Sequence, residues 1–306
     1  MAIYITRKFI NKKPVFYNSK NKKEITNSAI LNKIKKIYIA PAYTNVKIYL
    51  DKPLLATGID KAGRTQYIYS DDHKKGRELR KYCQLVMMSK NIVKLQKSIK
   101  NDLLGKEMTK RKIIALILKI MDLCNFRSGS KLYETKYGSH GLTTLHKKHV
   151  SVLKKGVKIK FVGKKGVVNE CLIKDSKIQD ILKEVYNSEG DDKYLFSYRK
   201  EHIKIGDINN YLNKFKITSK DLRTWNANII FLKNLDKDLN IKEAIKKTAI
   251  SLHHTPYICR NSYIYKNLIT IIQDNKSTYN EIKRLGPEKF LKDILRKDAN
   301  LKSCNK

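Results

Sequence analysis

Leu252-His253-His254-Thr255-Pro256-Tyr257-Ile258-Cys259-Arg260-Asn261-Ser262-Tyr263 places a histidine nine positions before a tyrosine, with Thr-Pro directly after the histidine. Upstream, Ser219-Lys220-Asp221-Leu222-Arg223-Thr224-Trp225 reads as a helix start capped by Thr218 or Ser219. Further upstream, Gly163-Lys164-Lys165-Gly166 has the composition of a β-turn, and Phe126-Arg127-Ser128-Gly129 follows a helix expected over Thr109 to Cys124. In chain order the chemistry-bearing set is Arg127, Lys164, Arg223, His254 and Tyr263. It contains cations, hydrogen-bond donors and one phenol, and no carboxylate cluster. Phosphoryl transfer develops negative charge on non-bridging oxygens, which guanidinium and imidazole groups stabilise. A tyrosine oxygen can attack phosphorus to form a covalent intermediate, and a lysine can protonate the departing oxygen.

The residues before this set read as two differently built regions. The first 70 or so are β-rich: Ile3-Tyr4-Ile5, Val15-Phe16-Tyr17, Ile37-Tyr38-Ile39, Val46-Lys47-Ile48-Tyr49 and Gln66-Tyr67-Ile68-Tyr69 are short β-branched or aromatic runs. One helix fits Ser28 to Ile34, and Asp51-Lys52-Pro53 and Ala62-Gly63 mark turns. The polar run around Asp71 to Gly76 reads as a linker. Beyond it apolar residues recur at helical spacing from Arg77 to Leu104. Ser128 to Gly141 reads as a glycine-punctuated loop, and strands are expected over His149 to Leu153, Val157 to Val162 and Val167 to Ile173. The expected fold is therefore α+β: a small β-rich domain over 1–71, a linker over 72–76, and a larger, mainly helical domain over 77–306 interrupted by a three-stranded β-meander.

The 306 residues include 66 Lys and Arg against 28 Asp and Glu, a formal charge of +38. The cations are spread along the chain rather than gathered in a tail, so the folded surface itself must be basic and calls for a polyanionic partner. Part of the Lys, Ile and Asn richness reflects an AT-rich genome. The five cysteines form no C-x-x-C pair and read as reduced thiols of an intracellular protein. The start, Met-Ala-Ile-Tyr-Ile-Thr-Arg-Lys, lacks a secretory leader's apolar core, and Ile113 to Leu118 is too short to span a bilayer. No membrane association, no cofactor and no metal site are expected, since no Asp/Glu/His cluster has ligand spacing. Among the remaining histidines and tyrosines, His146, His149, His202, His253, Tyr257 and Tyr265 are expected to be structural or surface groups.

Taken together, Gly58 to Tyr67, Arg127-Ser128-Gly129, Gly141-Leu142-Thr143-Thr144-Leu145, Lys160 to Lys164, Lys220 to Thr224 and His254 to Tyr263 resemble the type IB DNA topoisomerases, the poxvirus-like short forms in particular. The resemblance implies the topoisomerase IB/tyrosine recombinase fold. It also implies ATP-independent relaxation of supercoiled duplex DNA through a transient 3′-phosphotyrosyl link. Tyr263 would be the nucleophile. Arg127, Arg223 and His254 would contact the scissile phosphate, and Lys164 would be the general acid. Lys165 is the adjacent candidate, and Lys164 is preferred because it follows the glycine of the family's turn. Gln66, Tyr67, Tyr69 and Tyr133 match DNA-contacting positions, and Tyr67 and Tyr69 share one strand face by alternation. Ser130 and Leu132 stand where the family carries lysines, which leaves the cleavage sequence open. A monomer that clamps duplex DNA, in the virion or the infected cell, is the implied working form. The alternative is a tyrosine recombinase, whose pattern has histidine three residues before the second arginine; here that residue is Lys220.

Overall fold

The structure is a computed structural model and describes residues 3–188, 193–237, 239–275 and 277–305. The chain divides into two compact units, Met1–Lys81 and Tyr82–Lys306.

The first unit is an antiparallel sheet with one helix. Strands β1 (Ile5–Ile10), β2 (Lys13–Asn18), β3 (Thr44–Ile48), β4 (Leu54–Ile59) and β5 (Thr65–Tyr69) lie in the order β2-β1-β3-β4-β5. Helix α1 (Ser28–Lys35) starts where the Asn27 side chain accepts from the Ala29 and Ile30 amides, satisfying two of the donors every helix start leaves open. Ile5, Ile34, Val46, Ile48 and Ala56 form the buried core. The Ile37-Tyr38-Ile39 run is not a strand. Its neighbourhood is claimed by Arg7, whose guanidinium donates to the carbonyls of Ile39, Ala40, Pro41 and Tyr43 at 2.8–3.3 Å. Carbonyls turned toward one guanidinium are not free to pair in a ladder.

Helix α2 (Asp71–Leu104) begins earlier than its apolar periodicity. The Asp71–Gly76 segment, expected as a linker, is helical: the Ser70 hydroxyl accepts from the His73 amide at 3.3 Å, and Asp71 and Asp72 sit at the positive end of the helix dipole. Polar composition there marks a helix start.

The second unit is built around α3 (Lys110–Cys124), capped by Thr109 and buried along most of its length. Helix α4 (Lys131–Tyr137) lies inside the stretch expected as a loop. The expected meander is present as β6 (Val150–Leu153), β7 (Gly156–Val162) and β8 (Val168–Ile173), in that order. The helices α5 (Ser176–Asn187), α6 (Ile205–Asn213), α7 (Ser219–Leu235) and α8 (Ile241–Ser251) follow, with a small ribbon of β9 (Ser197–Tyr198) and β10 (Glu201–His202) between α5 and α6. After α8 come the single turn α9 (Pro256–Ile258), a wide π-type turn over Cys259–Tyr263, and α10 (Lys266–Asp274), α11 (Thr278–Leu285) and α12 (Pro287–Lys297). Cys124 is bonded to Cys171, which ties α3 to β8, and Cys83 is bonded to Cys304. These two pairs correct the expectation of reduced thiols; Cys259 alone is free, and it is buried. Among the described residues no helix is long and apolar enough to cross a membrane.

Candidate active site

Arg223 lies one turn into α7. The start of that helix is fixed by a reciprocal cap: the Thr218 hydroxyl accepts from the Asp221 amide, and the Asp221 carboxylate accepts from the Thr218 amide. Arg223 is 4% exposed. Its two terminal nitrogens donate to the carbonyls of Asn125 and Leu252. These residues are the C-caps of α3 and α8, so Arg223 is held by the negative ends of two helices and by no carboxylate. Its positive charge is thereby positioned without being neutralised. Burial, and then the charge of Arg127, lower its pKa to about 10, still well above neutrality.

Arg127 follows Phe126, which is fully buried and packs edge-on against Phe161 of β7 at 4.8 Å. Its backbone is fixed by a crossing of two glycine segments. The Leu142 amide donates to the Arg127 carbonyl at 2.9 Å and the Thr143 amide to the Ser128 carbonyl at 2.7 Å. Gly129 and Gly141 meet at the crossing, where a Cβ on Gly141 would lie 2.5 Å from Gly129 backbone atoms. Only glycine at position 141 permits that approach.

His253 turns the chain with φ +50 and directs its ring toward the Cys124 carbonyl, so it is structural. His254 then stacks on Tyr263, with ring centres 4.9 Å apart and planes 13° from parallel. Burial first, and the charge of Arg223 second, lower the His254 pKa to about 4, so the ring is neutral at pH 7. Thr255 caps α9 and Pro256 occupies its first turn, which feeds the chain into the wide turn that ends on Tyr263. The Arg223 guanidinium lies 5.3 Å from the centre of the Tyr263 ring. Burial would raise the phenol's pKa, but the charges of Arg223 and Arg127 outweigh it and hold the group below its ordinary value. Two side-chain atoms in this cluster are buried without a partner: Arg223 Nε and His254 Nε2. Buried polar atoms rarely go unpaired, and these two flank one phenol.

The backbone of Tyr263 is held by a residue that spacing did not reveal. Asn228 of α7, fully buried, donates to the Tyr263 carbonyl at 3.0 Å and accepts from the Tyr265 amide at 2.8 Å. The chain is rich in asparagine, so nothing in the sequence sets Asn228 apart.

The fold thus brings Arg127, Arg223, His254 and Tyr263 together. Lys164 is apart from them, exposed in the turn between β7 and β8, where Lys165 takes the left-handed φ of 64. The Gly163 amide donates to the Val167 carbonyl at 2.8 Å and closes that turn. Tyr67 is 57% exposed, and Tyr133, on α4, is 52% exposed and stacked on Tyr137. Tyr69 stacks on His73. Gln66 donates to Asp60, whose carboxylate also accepts from Arg64 and organises the β4–β5 turn. Arg64 is the main cause that lowers the Asp60 pKa to about 2. One group the sequence reading did not single out also converges: Glu134, His140 and His146 offer metal-ligand atoms within 4.8 Å of one another.

Comparison with known proteins identifies the family. The profile of the eukaryotic DNA topoisomerase I catalytic core matches residues 70–287. DNA topoisomerase 1B of Acanthamoeba polyphaga mimivirus is 30% identical over 307 residues, covering 92% of this chain and 91% of that protein. DNA topoisomerase 1B of vaccinia virus (strain Copenhagen) is 26% identical over 74% of this chain and 77% of its own length. Among solved structures, the XerH site-specific recombinase bound to a palindromic difH substrate aligns with a TM-score of 0.41 and 16% identity, over 72% of this chain and 62% of that one. By the extent of the profile and the full-length likeness to a viral relative, this chain belongs to the type IB DNA topoisomerases.

Proposed function

We propose that the chain relaxes supercoiled duplex DNA without ATP, through a transient single-strand break in which Tyr263 holds the 3′ end. The observation that carries this reading is the pair of unpartnered buried atoms, Arg223 Nε and His254 Nε2, beside a phenol whose pKa the arginines depress. A scissile phosphate seated there would accept from Arg223 and Arg127. His254, neutral with Nδ1 close to the Thr255 carbonyl, would donate from Nε2 only after moving its ring proton or gaining a second one. The Tyr263 phenol gives up its proton to water as its oxygen attacks phosphorus, the P–O5′ bond breaks, and the 5′ oxygen takes a proton from Lys164 on the β7–β8 turn. Attack by the freed 5′ hydroxyl reverses the step and restores the phosphodiester. The bond energy is kept in the phosphotyrosine, so resealing needs no nucleotide. Torsional strain in the DNA drives rotation between the two steps.

Duplex DNA is the partner the family and the +38 charge support. The Tyr67 and Tyr69 face of β5, with Gln66, and Tyr133 on α4 are proposed DNA contacts. A monomer closing on the duplex, through a β-rich DNA-binding domain over 1–71 and a catalytic domain over 77–306, is the proposed working form. An infected cell or virion is the proposed setting, a reading the viral relatives support. Plasmid relaxation without ATP, together with a covalent protein–DNA adduct on denaturing gels, tests the proposal. Tyr263→Phe should bind DNA and form no adduct; an adduct in that variant would reject Tyr263 as nucleophile.

A further inference from the structure

Imidazoles crowd the segment that crosses beneath Arg127, and two of them offer ligand atoms within 4.8 Å of one carboxylate. Glu134, on α4, has a side chain only 7% exposed. Its Oε2 accepts from the Tyr194 hydroxyl at 2.8 Å, while its Oε1 lies 3.0 Å from His146 Nε2 and 3.2 Å from Lys193 Nζ. His140 places Nδ1 2.7 Å from the Thr144 carbonyl. A carbonyl can only accept, so Nδ1 carries the ring proton and Nε2 keeps its lone pair. A backbone carbonyl on the far nitrogen is the usual means of orienting a metal-binding imidazole. The neighbouring His149 is committed differently: its Nδ1 accepts from the His146 amide at 3.0 Å, which leaves the proton on Nε2.

We propose that Glu134, His140 and His146 form a binding site for a borderline transition-metal ion, Zn2+ in the first instance. Two imidazoles and one carboxylate are a donor set zinc accepts, whereas Mg2+ and Ca2+ require oxygen ligands. Zinc bound at about 2.0–2.2 Å from each donor in a tetrahedral arrangement sets the donors roughly 3.4 Å apart. The three ligand atoms already lie within 4.8 Å of one another, so side-chain adjustment closes the site. His146 gives up its Nε2 proton to Nδ1 or to solvent as the ion binds. Lys193, 54% exposed at its side chain, swings away from Oε1, and the ion replaces its charge. The bound ion would join α4 to the 140–146 segment. The His140 amide donates to the Val162 carbonyl at 2.9 Å, one residue before the Gly163-Lys164 turn, so the ion would brace the base of that hairpin. The site uses none of the residues around Tyr263 and does not depend on the reaction proposed there.

The test uses the untagged full chain, stripped with a chelator and titrated with Zn2+ against a chromophoric zinc indicator. One ion per chain is expected, with perturbed imidazole nitrogen resonances of His140 and His146. His140→Ala and His146→Ala should each weaken binding by more than about tenfold, since loss of even an outer partner of a metal ligand costs about 10–100-fold. Wild-type affinity in both variants would overturn the assignment, as would resonance shifts confined to other histidines. Co2+ in place of Zn2+ gives a separate reading: a thiolate charge-transfer band would put the ion on cysteine and reject this site. The resonance measurement needs only the wild-type chain, so it decides even if a variant fails to fold.

Discussion

Gly141→Ala should leave a folded protein that cleaves DNA very slowly. The new Cβ would lie 2.5 Å from the Gly129 backbone and 2.8 Å from the Arg127 carbonyl, where ordinary contact begins at 3.4 Å. The two segments must separate by about 0.9 Å, and the 2.7 and 2.9 Å hydrogen bonds that join them are stretched in the process. Overpacking of this kind costs about 1–3 kcal/mol of stability. The larger effect is on rate, because Arg127 rides on the displaced segment, and a misplacement of about 1 Å costs roughly 100-fold in a reaction that depends on alignment. Single-turnover formation of the covalent adduct measures the rate, and urea unfolding measures the stability. Gly138→Ala is the control. That glycine, unlike Gly141, has a left-handed φ, +59, and no atom lies within 4 Å of the added carbon. It should lose about 1–2 kcal/mol to backbone strain and cleave normally. A folded Gly141→Ala protein that cleaves within about threefold of wild type would refute the idea that the glycine crossing positions Arg127. An equal loss of rate in Gly138→Ala would show that stability, not alignment, controls the rate.

Further outcomes follow from the same geometry. Lys164→Ala should slow cleavage of ordinary DNA by about 100-fold or more, and a 5′-thio leaving group, which needs no proton, should restore most of the rate; rescue of Lys165→Ala instead would move the acid by one residue. Asn228→Ala removes one hydrogen bond to the nucleophile's carbonyl and one from the Tyr265 amide, so it should cost about 1–3 kcal/mol in urea unfolding and slow adduct formation without weakening DNA binding. Free histidine titrates near 6.5, whereas His254 titrates at about 4 in the fold, so between those values the unfolded chain holds a proton that the folded chain does not. Stability should therefore fall as the pH drops through that window, and His254→Asn should reduce the difference between pH 7 and pH 4.5 by about 1–3 kcal/mol; an unchanged difference in urea unfolding would contradict the buried, neutral ring.

The parts of the fold legible in the sequence were those set by local chemistry. The cap at Thr218 starts a helix where a side-chain oxygen meets a free amide, the helices expected from Ser28 and Thr109 begin within a residue of those positions, and the turns at Lys154-Lys155-Gly156 and Gly163 to Gly166 divide the meander as their composition implies. Long-range contacts decided the rest. Arg7 takes the Ile39 and Tyr43 carbonyls from more than thirty residues away, and Ile37 to Ile39 pair with no strand. β4 carries Gly58 because Tyr43 leaves barely 3.0 Å for a Cβ, and that glycine weakens the strand signal. The residues around Tyr263 were legible only as an ordered set. Asn228, Glu134 and the helix-end carbonyls that hold Arg223 were not, since their roles exist only once distant segments meet.

Asn228 also bears on what happens after cleavage. In the proposed covalent state the phosphotyrosine is a tether, and a swivelling DNA end pulls on it. The Tyr263 carbonyl and the amide two residues later are both hooked to one side-chain amide in the middle of α7. Pulling force is thereby passed into the packed interior rather than spent in unravelling the wide turn. The 5′ end can spin while the point of attachment stays where the reverse attack needs it.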